Sequence, residues 1–158
     1  ARFSSMDPDH AGLYAANLQS YLLKLDELDQ YMKKRAQELP ASQRVLITAH
    51  DAFRYFGRAY GFEVMGLQGI STEAEAGTAD VSRLAALIAD RRIKAIFVES
   101  SVPHKNVEAL RAAVKAKGFD VAIGGELYSD SLGDAASGHG SYLATLKANT
   151  DTIVDALK

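Results

Sequence analysis

Four short apolar runs, each followed by a stretch with helical spacing, constrain this chain to one fold class. Residues 44–49 form a β-branched run, Arg44-Val45-Leu46-Ile47-Thr48-Ala49, and residues 51–60 follow with Phe53, Phe56 and Tyr60 at helical steps. Residues 62–67 make a second strand candidate, which leads through a polar loop at 69–75 to a helix over about 78–90. Ala95-Ile96-Phe97-Val98-Glu99 is a third, followed by a helix over about 104–117. Val121-Ala122-Ile123-Gly124 is a fourth, and a Gly- and Ser-rich loop at 129–141 then precedes a closing helix that runs to Leu157. Parallel strands need long crossovers, and strand–helix alternation supplies them as right-handed βαβ units. The expected class is therefore α/β, with a four-stranded parallel sheet flanked by helices. The unbroken apolar character of residues 45–47 and 96–98 fits strands covered on both faces.

A long helix precedes this pattern. Asp7 and Pro8 read as a helix start, Leu18, Leu22, Leu25, Leu28 and Met32 recur on one face, and Pro40 ends the run after Leu39. A helix of roughly 30 residues spans about 45 Å, longer than a small domain is wide. It reads either as a coiled-coil segment or as a strut. The division expected is a helical segment at 1–39 and an α/β unit at 40–158.

The chain of 158 residues suffices for one ordinary domain. A net charge of −2 offers no basic footprint, so nucleic acid is not an expected partner. Cysteine is absent, which removes disulfides and thiolate chemistry and restricts any metal site to His, Asp, Glu or backbone oxygen. No run is long enough for an apolar membrane span, and the first residues lack the apolar stretch of a signal peptide. The chain does not begin with Met, so removal of a leader or of a larger piece is expected.

Ligands of open parallel sheets bind beyond the carboxyl ends of the strands. The residues there are His50 and Asp51, then 68–75, then Glu99, Ser100 and Ser101, then Glu126, Tyr128, Ser129 and Asp130. One imidazole and several carboxylates suit a divalent cation. Each has a plainer reading: His50 as a packed or capping histidine, Asp130 as a turn former in Ser129-Asp130-Ser131, and Glu99 as a buried carboxylate bonded to backbone N–H or to arginine. His104 follows Pro103 and is expected to begin a helix, and His10 and His139 are expected to be solvated. Ser100 or Ser101 beside His50 or His104 would make a nucleophile and base only in the right geometry. There is no phosphate-binding loop, no nucleophile elbow, and Gly124-Gly125 falls short of a dinucleotide fingerprint.

Five blocks carry a resemblance. They are Thr48-Ala49-His50-Asp51-Ala52-Phe53-Arg54-Tyr55-Phe56, Gly69-Ile70-Ser71-Thr72-Glu73-Ala74-Glu75, Ile96-Phe97-Val98-Glu99-Ser100-Ser101-Val102-Pro103-His104-Lys105, Gly124-Gly125-Glu126-Leu127-Tyr128-Ser129-Asp130-Ser131-Leu132-Gly133 and Asn149-Thr150-Asp151-Thr152-Ile153. In order and spacing they resemble the TroA-like zinc and manganese solute-binding proteins of ABC importers. That resemblance implies a receptor and not an enzyme, with two α/β lobes joined by one stiff helix and a transported Zn²⁺ or Mn²⁺ held between them. It also implies that this chain is the carboxyl-terminal lobe with the interlobe helix, supplying the metal ligands His50 and Asp130. On that resemblance the amino-terminal lobe with its two histidine ligands is expected to be missing from this chain, and His10 does not match those blocks. The implied partners are the metal ion, the missing lobe and a membrane permease. The implied location is periplasmic or cell-surface, and no organic cofactor is expected. Two other readings stay open: an interaction module that dimerises, and a small α/β enzyme.

Overall fold

The computed structural model describes residues 2–70 and 77–158, and Ser71, Thr72, Glu73, Ala74 and Glu75 of the second block lie outside the described residues. All four strands form: β1 (Val45–His50), β2 (Glu63–Gln68), β3 (Ala95–Glu99) and β4 (Ala122–Leu127). The helices are α1 (Arg2–Met6), α2 (Ala11–Gln37), α3 (Arg54–Tyr60), α4 (Thr78–Arg91), α5 (Lys105–Ala116) and α6 (Tyr142–Leu157). The α/β class therefore holds, with His104 at the position just before α5.

The sheet is hydrogen-bonded as two parallel pairs, β1 with β2 and β3 with β4, rather than as one continuous ladder of four. The strands of the two pairs meet at β1 and β3, giving the spatial order β2-β1-β3-β4. Val45, Ile47 and Ala49 of β1 share one apolar layer with Ile96 and Val98 of β3, under Leu84 and Ile88 of α4 and Leu110 and Val114 of α5. Leu46 and Phe97 face the opposite layer, with Ala36 of α2 and with Ile153, Val154 and Leu157 of α6. Alternation along a strand explains the two layers. Every residue of β1 and β3 is buried, as their apolar runs require, whereas the outer strands β2 and β4 are partly exposed.

The first helix is not continuous. Pro8 excludes its predecessor from helical geometry, and Asp7 sits at φ −141° and ψ 79°, separating α1 from α2 through a 3₁₀ turn at Pro8–His10. Asp7 does not cap backbone N–H groups. Its carboxylate accepts from the Tyr14 hydroxyl at 2.7 Å and lies 2.9 Å from His10 Nδ1. Only the last turns of α2 bury side chains, Met32 and Ala36, while Leu13, Leu18, Tyr21, Leu22 and Leu23 are exposed. Among the described residues no helix is long and apolar enough to cross a membrane.

The fourth strand runs three residues past its expected end because of a bulge. Ile96 pairs with Ile123 but Phe97 pairs with Gly125, leaving Gly124 as the extra residue. A Cβ at Gly124 would lie 2.6 Å from the Phe97 ring, and Gly125 adopts φ +139°, which side-chain-bearing residues avoid. The segment after the bulge is strapped to α6. Asn149 accepts the Tyr128 N–H at 3.0 Å and donates to the Tyr128 carbonyl at 2.7 Å, so one side-chain amide pairs with a backbone as a neighbouring strand would. Thr145 accepts the Gly133 N–H at 3.3 Å and donates to the His139 carbonyl at 2.6 Å.

A charged cluster fixes α2 to α6. Arg35 donates to Asp151 at 2.9 Å, to Asp155 at 2.5 Å and to Glu38 at 2.5 Å, and Asp151 also accepts from Lys147 and Tyr31. Burial works against ionising Asp151, but the bonds from Lys147, Tyr31 and Arg35 prevail and hold its carboxyl below the usual range. Bonds from Arg35 and Lys158 depress Asp155, and bonds from Lys158 and Arg35 depress Glu38.

Three outcomes follow from the contacts of the Arg35 cluster and of Asn149. A depressed carboxyl contributes stability above its unfolded value and loses it as acid protonates the folded form, so melting temperature is expected to fall below about pH 4. Arg35→Ala is expected to lower stability by about 1 kcal/mol after discounting for solvent screening, and to flatten that acid limb in thermal melts. Asn149→Ala is expected to cost about 1–3 kcal/mol and to speed amide exchange at residues 128–131, measured by hydrogen exchange.

Candidate metal-ligating site

His50 is the last residue of β1, paired with Gln68 of β2. Its carbonyl accepts from the Thr48 hydroxyl at 2.7 Å and from the Ala52 N–H at 3.0 Å, so the turn out of the strand is closed locally. Gly66 lets β2 approach this turn, since a Cβ there would lie 2.7 Å from Asp51 N and 2.8 Å from His50 C. On the side toward β3, where no ladder bond is available, the His50 N–H donates to Glu99 Oε1 at 2.8 Å.

The imidazole lies between two carboxylates. Nδ1 is 2.8 Å from Glu99 Oε2, and Nε2 is 3.3 Å from Asp130 Oδ2. Glu99 is fully buried and the His50 side chain is 3% exposed, but the Asp130 side chain is 58% exposed. His50 is thus a packed histidine whose outer nitrogen still reaches the rim, where it lines a shallow depression with Tyr55, Ser129 and Asp130. Asp51, its neighbour, lines the same depression and pairs with Arg54.

The structure therefore brings together His50 and Asp130, the two residues singled out as ligands, at one edge of the sheet. It leaves the other histidines elsewhere. His104 Nε2 stands 3.6 Å from Glu126, His139 Nδ1 stands 3.3 Å from the Tyr128 hydroxyl, and His10 pairs with Asp7. Ser101 Oγ is bonded to Ser129 Oγ at 2.8 Å, and no serine–histidine pair forms among the described residues. Nor do three or more His, Cys, Asp or Glu side chains among the described residues cluster closely enough to hold a metal. Imidazole and carboxylate are donors that first-row divalent cations accept, and two of them make half of a four-ligand shell.

Sequence reasoning weighed Glu99 as a buried carboxylate with a backbone N–H partner, and it has one. It missed that this partner belongs to His50. The available signal was an acidic residue ending a wholly apolar strand, next to a strand that ends in histidine. Asn149 and Gly66 were also missed, the first because a polar residue on a helix reads as solvated, the second because a strand glycine does not say what approaches it.

A family model described as ZnuA, zinc-uptake complex component A, periplasmic, matches residues 1–156. The zinc-binding protein TroA of Treponema pallidum (strain Nichols) is 58% identical over 144 residues, 91% of this chain and 47% of that protein. The manganese-binding lipoprotein MntA of Bacillus subtilis (strain 168) is 45% identical over 158 residues, 100% of this chain and 52% of that lipoprotein. Among solved structures, the periplasmic zinc binding protein TroA from Treponema pallidum matches with a TM-score of 0.94 at 54% identity, covering 99% of this chain and 56% of that one. This chain spans about half the length of these relatives. Fold, sequence and family model agree, and the chain belongs to the ZnuA family of periplasmic zinc-uptake components.

Proposed function

We propose that this chain is the carboxyl-terminal lobe of an extracytoplasmic receptor that captures Zn²⁺ or Mn²⁺ for an ABC importer, with His50 and Asp130 as its contribution to the metal shell. The observation that carries the reading is the 3.3 Å between His50 Nε2 and Asp130 Oδ2. Two donors that each bind a tetrahedral zinc at about 2.0–2.1 Å stand about 3.3 Å from one another, so the rim already holds the span that a shared cation needs. The same separation is longer than an ordinary N–H···O bond.

The relatives named for zinc and for manganese support a divalent transition-metal cargo, written here as what the receptor carries and not as a resident cofactor. Membership of a family described as a zinc-uptake component supports binding without bond-making, and on this reading the chain acts as a receptor. The exposed apolar positions of α2, from Leu13 to Leu23, supply a face for the lobe that the longer relatives have room to contain. In that arrangement residues 1–39 form the interlobe helix and 40–158 the metal-binding lobe. The other lobe would complete the shell, and a membrane permease would receive the loaded receptor.

Zinc titration of the 158-residue chain by calorimetry tests the site. Two protein ligands leave the remaining positions to water, so the affinity expected is micromolar or weaker, and changing His50 and Asp130 together to Ala is expected to abolish it. Unchanged zinc binding in that double variant would remove the assignment, and sub-micromolar binding by the wild-type monomer would contradict the half-site reading.

A further inference from the structure

The buried carboxylate between the two central strands has a second use. Glu99 is 0% exposed, and both of its oxygens are directed at His50. Oε1 accepts the His50 backbone N–H at 2.8 Å. Oε2 lies 2.8 Å from Nδ1, off the line of an ideal hydrogen bond, and neither of those two buried atoms has another partner. An unpaired polar atom in the core is costly, so each depends on the other for its pairing. Both ring nitrogens face a carboxylate, but Glu99 is buried and 2.8 Å from Nδ1 whereas Asp130 is solvated and 3.3 Å from Nε2, so the nearer, drier acceptor places the proton on Nδ1. Nε2, aimed at Asp130, is then left with its lone pair outward.

We infer that Glu99 is a positioning residue that holds His50 as the Nδ1–H tautomer by gripping both its backbone and its ring, so that Nε2 is poised to ligate a divalent transition-metal cation. The inference deepens the proposed function and rests on His50 being a ligand for its metal arm only. Orientation of a ligating histidine by a carboxylate at its other nitrogen fixes the ring and raises its basicity. The backbone grip adds something a lone second contact would not supply. Oε1 restrains the main chain of the same residue whose ring Oε2 orients, so rotation of the imidazole and slippage of the strand end are opposed by one group.

Glu99→Gln separates this role from simple packing, because it keeps size and shape. Its amide oxygen can still accept the His50 N–H, which directs its NH₂ at Nδ1. Nδ1 must then act as acceptor, and the ring proton moves to Nε2, closing the lone pair that would meet a metal. The test is long-range ¹H–¹⁵N NMR of the His50 ring in the metal-free 158-residue chain, at about pH 8, above the ordinary imidazole value. Wild type is expected to carry its proton on Nδ1 and Glu99→Gln on Nε2. Zinc titration followed on the same ring resonances is expected to weaken by about 10–100-fold in the variant. A proton on Nε2 in wild type overturns the inference without any variant, so a Glu99→Gln protein that failed to fold would not shelter it. An unchanged tautomer in a folded Glu99→Gln chain overturns it as well, as does unchanged zinc affinity once the tautomer has moved. If instead His50→Ala leaves zinc binding intact while wild type shows the Nδ1–H tautomer, the ligand assignment falls and the positioning role stands.

Discussion

The contact between His50 and Glu99 is the constraint on which the rim of this molecule depends. β1 and β3 are the two fully buried strands, yet the hydrogen-bonded ladders run outward from them to β2 and β4. At the carboxyl end of that seam a side-chain carboxylate stands in for the missing backbone acceptor. A buried carboxyl group is costly unless its oxygens find partners, and here Oε1 accepts the His50 N–H while Oε2 faces Nδ1 of the same residue at 2.8 Å. The consequence is that the strand end and the imidazole are positioned together. Asp130 is held differently, by a bulge at Gly124 and Gly125 and by the Asn149 amide on α6. Two unrelated devices thus bring one nitrogen and one oxygen to the same place.

The class and order of elements were legible in the sequence because they rest on local patterns. Ala95–Glu99 forms as its apolar run indicates, and the other strands differ by a residue or so at their ends, apart from β4. That strand continues to Leu127 through two glycines that read as a terminator, since a glycine pair marks a stop and a bulge alike. The pairing of strands was not legible, because it depends on which edges meet and no local signal reports that. The helix start at Asp7 and Pro8 was legible from Pro8, whereas the short α1 before it had no signal in the sequence.

Of the site, His50 and Asp130 came out of position beyond strand ends together with family resemblance, and their 3.3 Å approach is a property of the fold alone. Glu99 could be seen as a buried acid but not as the partner of His50, because the two are joined across a seam between strands distant in sequence. Asn149 and Thr145 escaped for a similar reason: their work is to hold backbone groups of a loop that the sequence shows only as glycine and serine.

α2 is anchored through Arg35 to α6 over its last turns, and its earlier turns expose Leu18, Tyr21 and Leu22. Among the described residues the rim brings together two candidate donors, His50 and Asp130. Both features support the proposed cleft shared with another unit. The most direct test is a crystal of this chain grown with zinc and recorded at the zinc edge. An anomalous peak about 2.0–2.2 Å from His50 Nε2 and from an Asp130 oxygen is the result expected. A peak bound elsewhere, with His50 and Asp130 left unliganded, would contradict the account.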